Sequence, residues 1–143
     1  MSIAASLSEL SVKRQEIEKA AQEQAKAILA PGLKTFMDEH PDVKAIGWTQ
    51  YTPYFNDGEE CVFGVNDLHA SLVDERDDEV GGDGWEYLYG KTTKGFSQKS
   101  WDDLLELQKA LSGAEPDLKA AFGDHVRVIV TNEGIDVEEY SHD

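Results

Sequence analysis

A single cysteine, Cys61, among 143 residues leaves no internal disulfide to form, so the chain has no need of an oxidising compartment. No stretch approaches the roughly 20 consecutive apolar residues of a membrane span. The N-terminus lacks the charged segment and following apolar run of a secretory signal. These absences point to a cytoplasmic protein with no membrane partner. Basic residues are also scarce, with 13 Lys and Arg against 29 Asp and Glu and a formal net charge of −16. Binding to a phosphate backbone needs clustered Lys and Arg, so direct contact with nucleic acid is disfavoured. Basic protein surfaces and cations are attracted instead.

Motifs that carry chemistry are missing as well. The four histidines, His40, His69, His125 and His142, are scattered, with no i, i+4 pair of the kind that binds metal on a helix. Cys61 has no Cys-x-x-Cys mate and lies in an apolar run, where cysteine is usually a small buried hydrophobe. No phosphate-cradling glycine loop, nucleophile elbow or kinase signature occurs. The expectation is a protein that is not an enzyme and uses no cofactor or metal.

What the chain does contain is one domain's worth of alternating helix and strand signals. Residues 6–29 are rich in Ala, Glu, Gln, Lys and Arg and predict a long helix capped by Ser6 or Ser8 and broken or kinked at Pro31-Gly32, with a short helical segment over 33–39 that ends at His40-Pro41. Leu7, Leu10, Ile17, Ala21 and Ile28 fall near one face, interrupted by Arg14 and Gln24. That thin stripe is expected to pack lightly on a sheet, the alternative being a short coiled coil with a partner helix. Residues 43–73 carry β-branched and aromatic side chains around Asn56-Asp57-Gly58, which predicts a hairpin and a third strand. Residues 74–84, charged and glycine-rich, read as an acidic flexible loop. Residues 100–122 predict two helices, the first capped by Ser100 with Leu104, Leu105, Leu107 and Leu111 facing the core. Residues 125–140 alternate as a final hairpin. The predicted fold is α+β: an antiparallel sheet of about five strands with the long N-terminal helix and the central helix pair on one face.

Negative charge is concentrated. Between Asp57 and Glu86 there are eleven acidic side chains and one basic, Arg76, a local charge of −10. No Lys or Arg follows Arg127. Asp74, Glu75, Asp77, Asp78, Glu79 and Asp83 are therefore the candidate partner-binding surface, the alternative being a solvated loop with no partner. Carboxylates on a folded domain can occupy a basic groove in place of DNA phosphates, with binding that weakens steeply in salt. A calcium loop fails in both registers tried: from Asp77 the twelfth position is Leu88, and from Asp74 the sixth is Glu79 rather than glycine.

The densest aromatic stretch runs from Trp48 to Phe55. Trp48, Tyr51, Tyr54 and Trp85 are candidate ligand-binding residues, since rings interleaved with Thr and Gln can stack on a small molecule. They serve equally as the core and edge of a twisted hairpin. The run Gly47-Trp48-Thr49-Gln50-Tyr51-Thr52-Pro53-Tyr54-Phe55-Asn56-Asp57-Gly58, followed by Cys61-Val62-Phe63-Gly64-Val65, resembles a segment of small proteins encoded by tailed bacteriophages. The resemblance covers about a fifth of the chain and carries over no functional residue. It implies a setting, the bacterial cytoplasm during infection, in which small acidic proteins often bind and inhibit a host protein; the concentrated negative charge makes a basic one the expectation here. Two alternatives stand beside that expectation: a small-ligand sponge built on the aromatic hairpin, and a virion or assembly component forming a homo-oligomer through the N-terminal helix.

Overall fold

The structure, a computed structural model, describes residues 2–53, 58 and 61–140. Helix α1 spans Ile3–Glu39, capped by Ser2, whose hydroxyl oxygen accepts from the Ala5 N–H at 3.2 Å. The cap is thus Ser2 rather than Ser6 or Ser8, and the helix runs through Pro31-Gly32 without a break into the segment expected over 33–39. Pro31 withholds one N–H from the ladder, but Ala27, whose carbonyl loses that bond, is exposed, so water can replace it. The helix ends at His40-Pro41. Only its last third is embedded, through Leu33 and Met37, with Leu29 and Phe36 partly buried beside them.

The sheet is antiparallel throughout and surrounds one central strand, β1 (Ala45–Tyr51). The remaining strands are β2 (Gly64–Val65), β3 (His69–Ser71), β4 (Glu86–Tyr87), β5 (Val126–Thr131) and β6 (Gly134–Glu139). Along β1, one edge pairs with β5 and the other with β2 and β3 in succession; β4 lies beyond β3, and β6 beyond β5. Thus β2 and β3 form one interrupted strand. Gln50 faces Val65 and Gly47 faces His69, so three steps on β1 oppose four on its partner. The extra residue is a bulge. It falls beside Asn66, whose N–H donates to the Thr49 carbonyl and whose amide donates to Thr49 Oγ1 at 2.7 Å. The turn expected at Asn56-Asp57 lies outside the described residues.

Helices α2 (Gln98–Ser112) and α3 (Glu115–Phe122) join the end of α1 on the inner face. Trp48, Ile46, Val128 and Val130 from the sheet meet Leu33, Met37, Leu104, Leu118 and Phe122 there. The cap of α2 is Ser97, not Ser100. Ser97 Oγ accepts from the Ser100 N–H, which leaves the Ser100 hydroxyl to donate to Asp42 at 2.5 Å. Leu104 and Leu111 are buried as expected, but Leu105 is exposed, one step of the helix away from the core face. Cys61 is half-buried. The chain is α+β, with three helices on one face of an open antiparallel sheet. Among the described residues no helix is long and apolar enough to cross a membrane.

Candidate functional site

Strand alternation sorts the candidate residues onto two faces. Trp48 points inward and is fully buried. Its indole N–H donates to Gln50 Oε1 at 2.9 Å, and Gln50 Nε2 donates to the carbonyls of Leu118 and Gly123 at 3.0 and 2.7 Å. Two residues on, Thr52 gives its N–H and its hydroxyl to the two carboxylate oxygens of Asp124, at 2.8 and 2.7 Å. The polar members of the Trp48–Thr52 run thus tie the C-terminal end of α3 to the central strand. Trp48 and Gln50 are core residues whose polar atoms are paired, as burial requires.

The outer face carries Ala45, Gly47, Thr49 and Tyr51 of β1 with Arg127 and Ile129 of β5. It is roofed by the acidic segment. Residues 74–84, expected to be a flexible loop, follow a folded-back course: the Asp77 N–H donates to the Asp83 carbonyl at 2.8 Å and the Gly82 N–H to the Glu79 carbonyl at 3.0 Å. Two anchors hold this loop to the sheet. The Trp85 indole N–H donates to the Asp77 carbonyl at 2.8 Å while its ring covers Ala45 and Ile129, with Val80 alongside. Arg127, 9% exposed, donates to the Asp78 carbonyl at 2.6 Å and pairs with Asp136 and Glu138, each at 3.0 Å. The one-turn backbone is therefore fixed by groups that sequence patterning assigns to an aromatic pocket and an ordinary strand.

Fixing the backbone leaves the acids outside. Asp74, Glu75, Asp77, Asp78, Glu79 and Asp83 are all exposed. Three of them, Asp74, Asp77 and Asp78, line a cleft of about 400 Å³ together with Glu133 and Asp136 of the C-terminal hairpin, and Arg76 is the one basic residue in that lining. A second cleft of about 400 Å³ is lined by Asp77, Asp78 and Glu79 with Glu139, and also by Thr49, Arg127 and Tyr140. Residues far apart in sequence thus supply each lining. Among the described residues no group of three or more His, Cys, Asp or Glu side chains is placed to hold a metal ion.

The four aromatic candidates are not assembled into one pocket. Trp48 and Trp85 lie on opposite faces of the sheet, and Tyr54 lies outside the described residues. Tyr51, half-buried, packs with Tyr140 and His125, ring centroids 5.8 and 6.3 Å away. A wider cleft of about 690 Å³ opens between the loop and the β2–β3 edge, lined by Thr49, Asn66, His69, Glu79 and Tyr87. His69, one of the four histidines that the sequence leaves scattered and without a role, lies in this lining. Its Nδ1 donates to the Asp67 carbonyl at 2.9 Å, because a carbonyl can only accept, and its ring meets Tyr87 edge-on at 4.2 Å. Burial pushes its pKa below the ordinary value, against the opposing pull of Asp67. Only the bulge, invisible before pairing is known, brings His69 to this face beside Asn66.

Comparison with known proteins returned no match: no family model, no curated protein and no solved structure is significantly similar to this chain.

Proposed function

We propose that this protein is a non-enzymatic binder of a basic protein surface, which it engages through the carboxylates of residues 74–83 and of β6. One observation carries this: exposed acids from the loop and the C-terminal hairpin share the lining of two clefts in excess of the single arginine in each, Arg76 and Arg127, on a loop pinned to the sheet by Trp85 and Arg127. A disordered acidic tail pays ordering entropy when it binds, whereas a pinned loop presents its charges in place. Acidic side chains outnumber the resident Arg76 and Arg127 in the two clefts, and that surplus suits the approach of a partner's Lys or Arg side chain. A net charge of −16 steers such a partner in and repels nucleic acid.

The partner chemistry that fits is a groove whose Lys and Arg residues ordinarily meet phosphates, so that this protein competes with nucleic acid for it. In the setting implied by the resemblance, the partner is a host protein in the cytoplasm of an infected bacterium. The test uses a nuclease-treated bacterial lysate, capture on the tagged protein, and elution by a salt gradient. A basic protein should elute at moderate salt and be displaced by duplex DNA. It should also be lost when Asp74, Asp77 and Asp78 become Asn and Glu79 becomes Gln, a change that keeps the Asp77 side-chain acceptor for the Glu79 N–H. Capture that ignores both salt and the four substitutions would sink the proposal.

A further inference from the structure

The first part of α1 presents an apolar stripe whose large side chains the fold does not bury. Ile3, Leu7, Leu10, Ile17, Ala21 and Ile28 recur in alternating steps of four and three, with Arg14 and Gln24 filling the two remaining places. That spacing is the a/d seam of a coiled coil, Leu7, Arg14, Ala21 and Ile28 at a and Ile3, Leu10, Ile17 and Gln24 at d. The side chains are open to water: Ile3 is 76% exposed, Leu7 58%, Leu10 65%, Ile17 69% and Ile28 76%. The face of α1 that meets the domain is centred elsewhere, on Leu29, Leu33 and Met37, and it borders the seam at Ala25 and along the cleft that Glu18 and Ala21 line with α3. No residue from 3 to 20 is buried. A helix of that length with no packed face is marginal in water, so the stripe calls for a partner.

We propose that this partner is a second copy of the chain, and that the two α1 helices pair in parallel as a two-stranded coiled coil over residues 3–28. Charge selects both the occupant and the direction. In the parallel register Lys13, at g, meets Glu18 of the second copy, at e, and symmetry makes that attraction twice. The other g/e places, Ala4, Ser6, Ser11, Ala20, Ala25 and Ala27, are all uncharged. Parallel pairing also sets every apolar seam residue against its own copy, six apolar layers out of eight. The antiparallel register that matches Arg14 with Gln24 sets Glu18 against Glu18 and leaves Ile3 opposite Thr35. The Arg14 layer brings two guanidiniums to one level, each 3.9 Å from Glu18 of its own helix. A charge at a is kept hydrated most easily between two strands, so Arg14 limits the bundle to a dimer and weakens it.

Sedimentation velocity on the full chain, from about 1 to 200 μM, decides the matter. The expected result is a monomer–dimer equilibrium. Leu10→Asp should shift it to monomer by at least about a hundredfold in Kd, since two leucines leave the seam. Arg14→Leu should tighten it. Lys13→Glu should weaken it about tenfold, and so should Glu18→Lys, while the double exchange should restore it. A chain that stays monomeric throughout, or a dimer indifferent to Leu10→Asp, overturns the proposal. A double exchange that fails to restore pairing overturns the parallel register. The unfolding midpoint of Leu10→Asp controls for a folding defect, because residue 10 lies outside the core. This inference is independent of the acidic surface, whose capture experiment can succeed or fail with a monomer.

Discussion

The indole of Trp85 occupies the space that a side chain at Gly47 would fill. A Cβ built at residue 47 would stand 2.9 Å from Trp85 Cη2 and 3.0 Å from a methyl of Val80. Glycine at the centre of a strand ordinarily weakens it. Here it lets the loop's anchor reach the sheet. Gly47→Ala should cost about 1–3 kcal/mol by overpacking and lift the loop. Chemical denaturation gives the first quantity and hydrogen exchange at the Asp77 and Gly82 amides the second. Unchanged protection at those amides would mean that Trp85 does not hold the loop.

Arg127 is the other anchor, and its removal should separate loop order from global stability. Arg127→Met keeps the apolar stem but frees the Asp78 carbonyl and leaves Asp136 and Glu138 without their shared cation. A loss of about 2 kcal/mol is expected, with larger gains in exchange for residues 77–82 than for β1. Uniform changes across the chain would place Arg127 in the general framework instead.

Gln50 joins three elements through one amide. Gln50→Leu would strand the Trp48 indole N–H and two carbonyls in the core, with an expected cost of about 2–4 kcal/mol. Gln50→Glu should also be costly, because a carboxylate repels the Leu118 and Gly123 carbonyls. Thermal unfolding of the two variants checks both, and a loss under about 0.5 kcal/mol would show that the network is dispensable.

Acid should destabilise the fold through two identified carboxylates. Burial tends to raise the pKa values of Asp42 and Asp124, but hydrogen bonds from Ser100 and Ser97 to the first, and from Thr52 to the second, outweigh it and lower both. The unfolded chain therefore binds protons first as pH falls below about 4, so their contribution is complete above that value and is lost as pH falls through the folded-state pKa values. His69 acts in the same direction from a higher starting point. Buried neutral, it resists a proton that the unfolded state accepts below about pH 6.5. In urea titrations from pH 8 to pH 3, His69→Gln should flatten the upper part of the decline. Asp42→Asn with Asp124→Asn should flatten the lower part. Parallel curves for wild type and variants would exclude these groups as the cause.

Much of the fold was legible because it depends on local pattern. The 125–140 hairpin alternates cleanly, Pro116 and Gly123 bound α3, and Ala- and Glu-rich composition marks α1. Pro31 misled because the cost of a missing N–H depends on whether the orphaned carbonyl meets water, and exposure is not written in the residues. Ser100 misled because Ser97 and Ser100 both suit a cap, and the choice was made by Asp42, 58 positions away.

The sequence by itself determined the sign and concentration of the charge, the antiparallel α+β architecture and the seam spacing along α1, since each follows from composition or from a period of two or seven. Tertiary structure alone decided which aromatic residues are core, which strands flank β1, and where the acidic segment lies. Trp48 and Trp85 look alike as letters, yet one faces the helices and the other roofs the opposite side. That difference depends on strand register and on a glycine at position 47, contacts between residues far apart in the chain whose geometry exists only once the sheet has closed around β1.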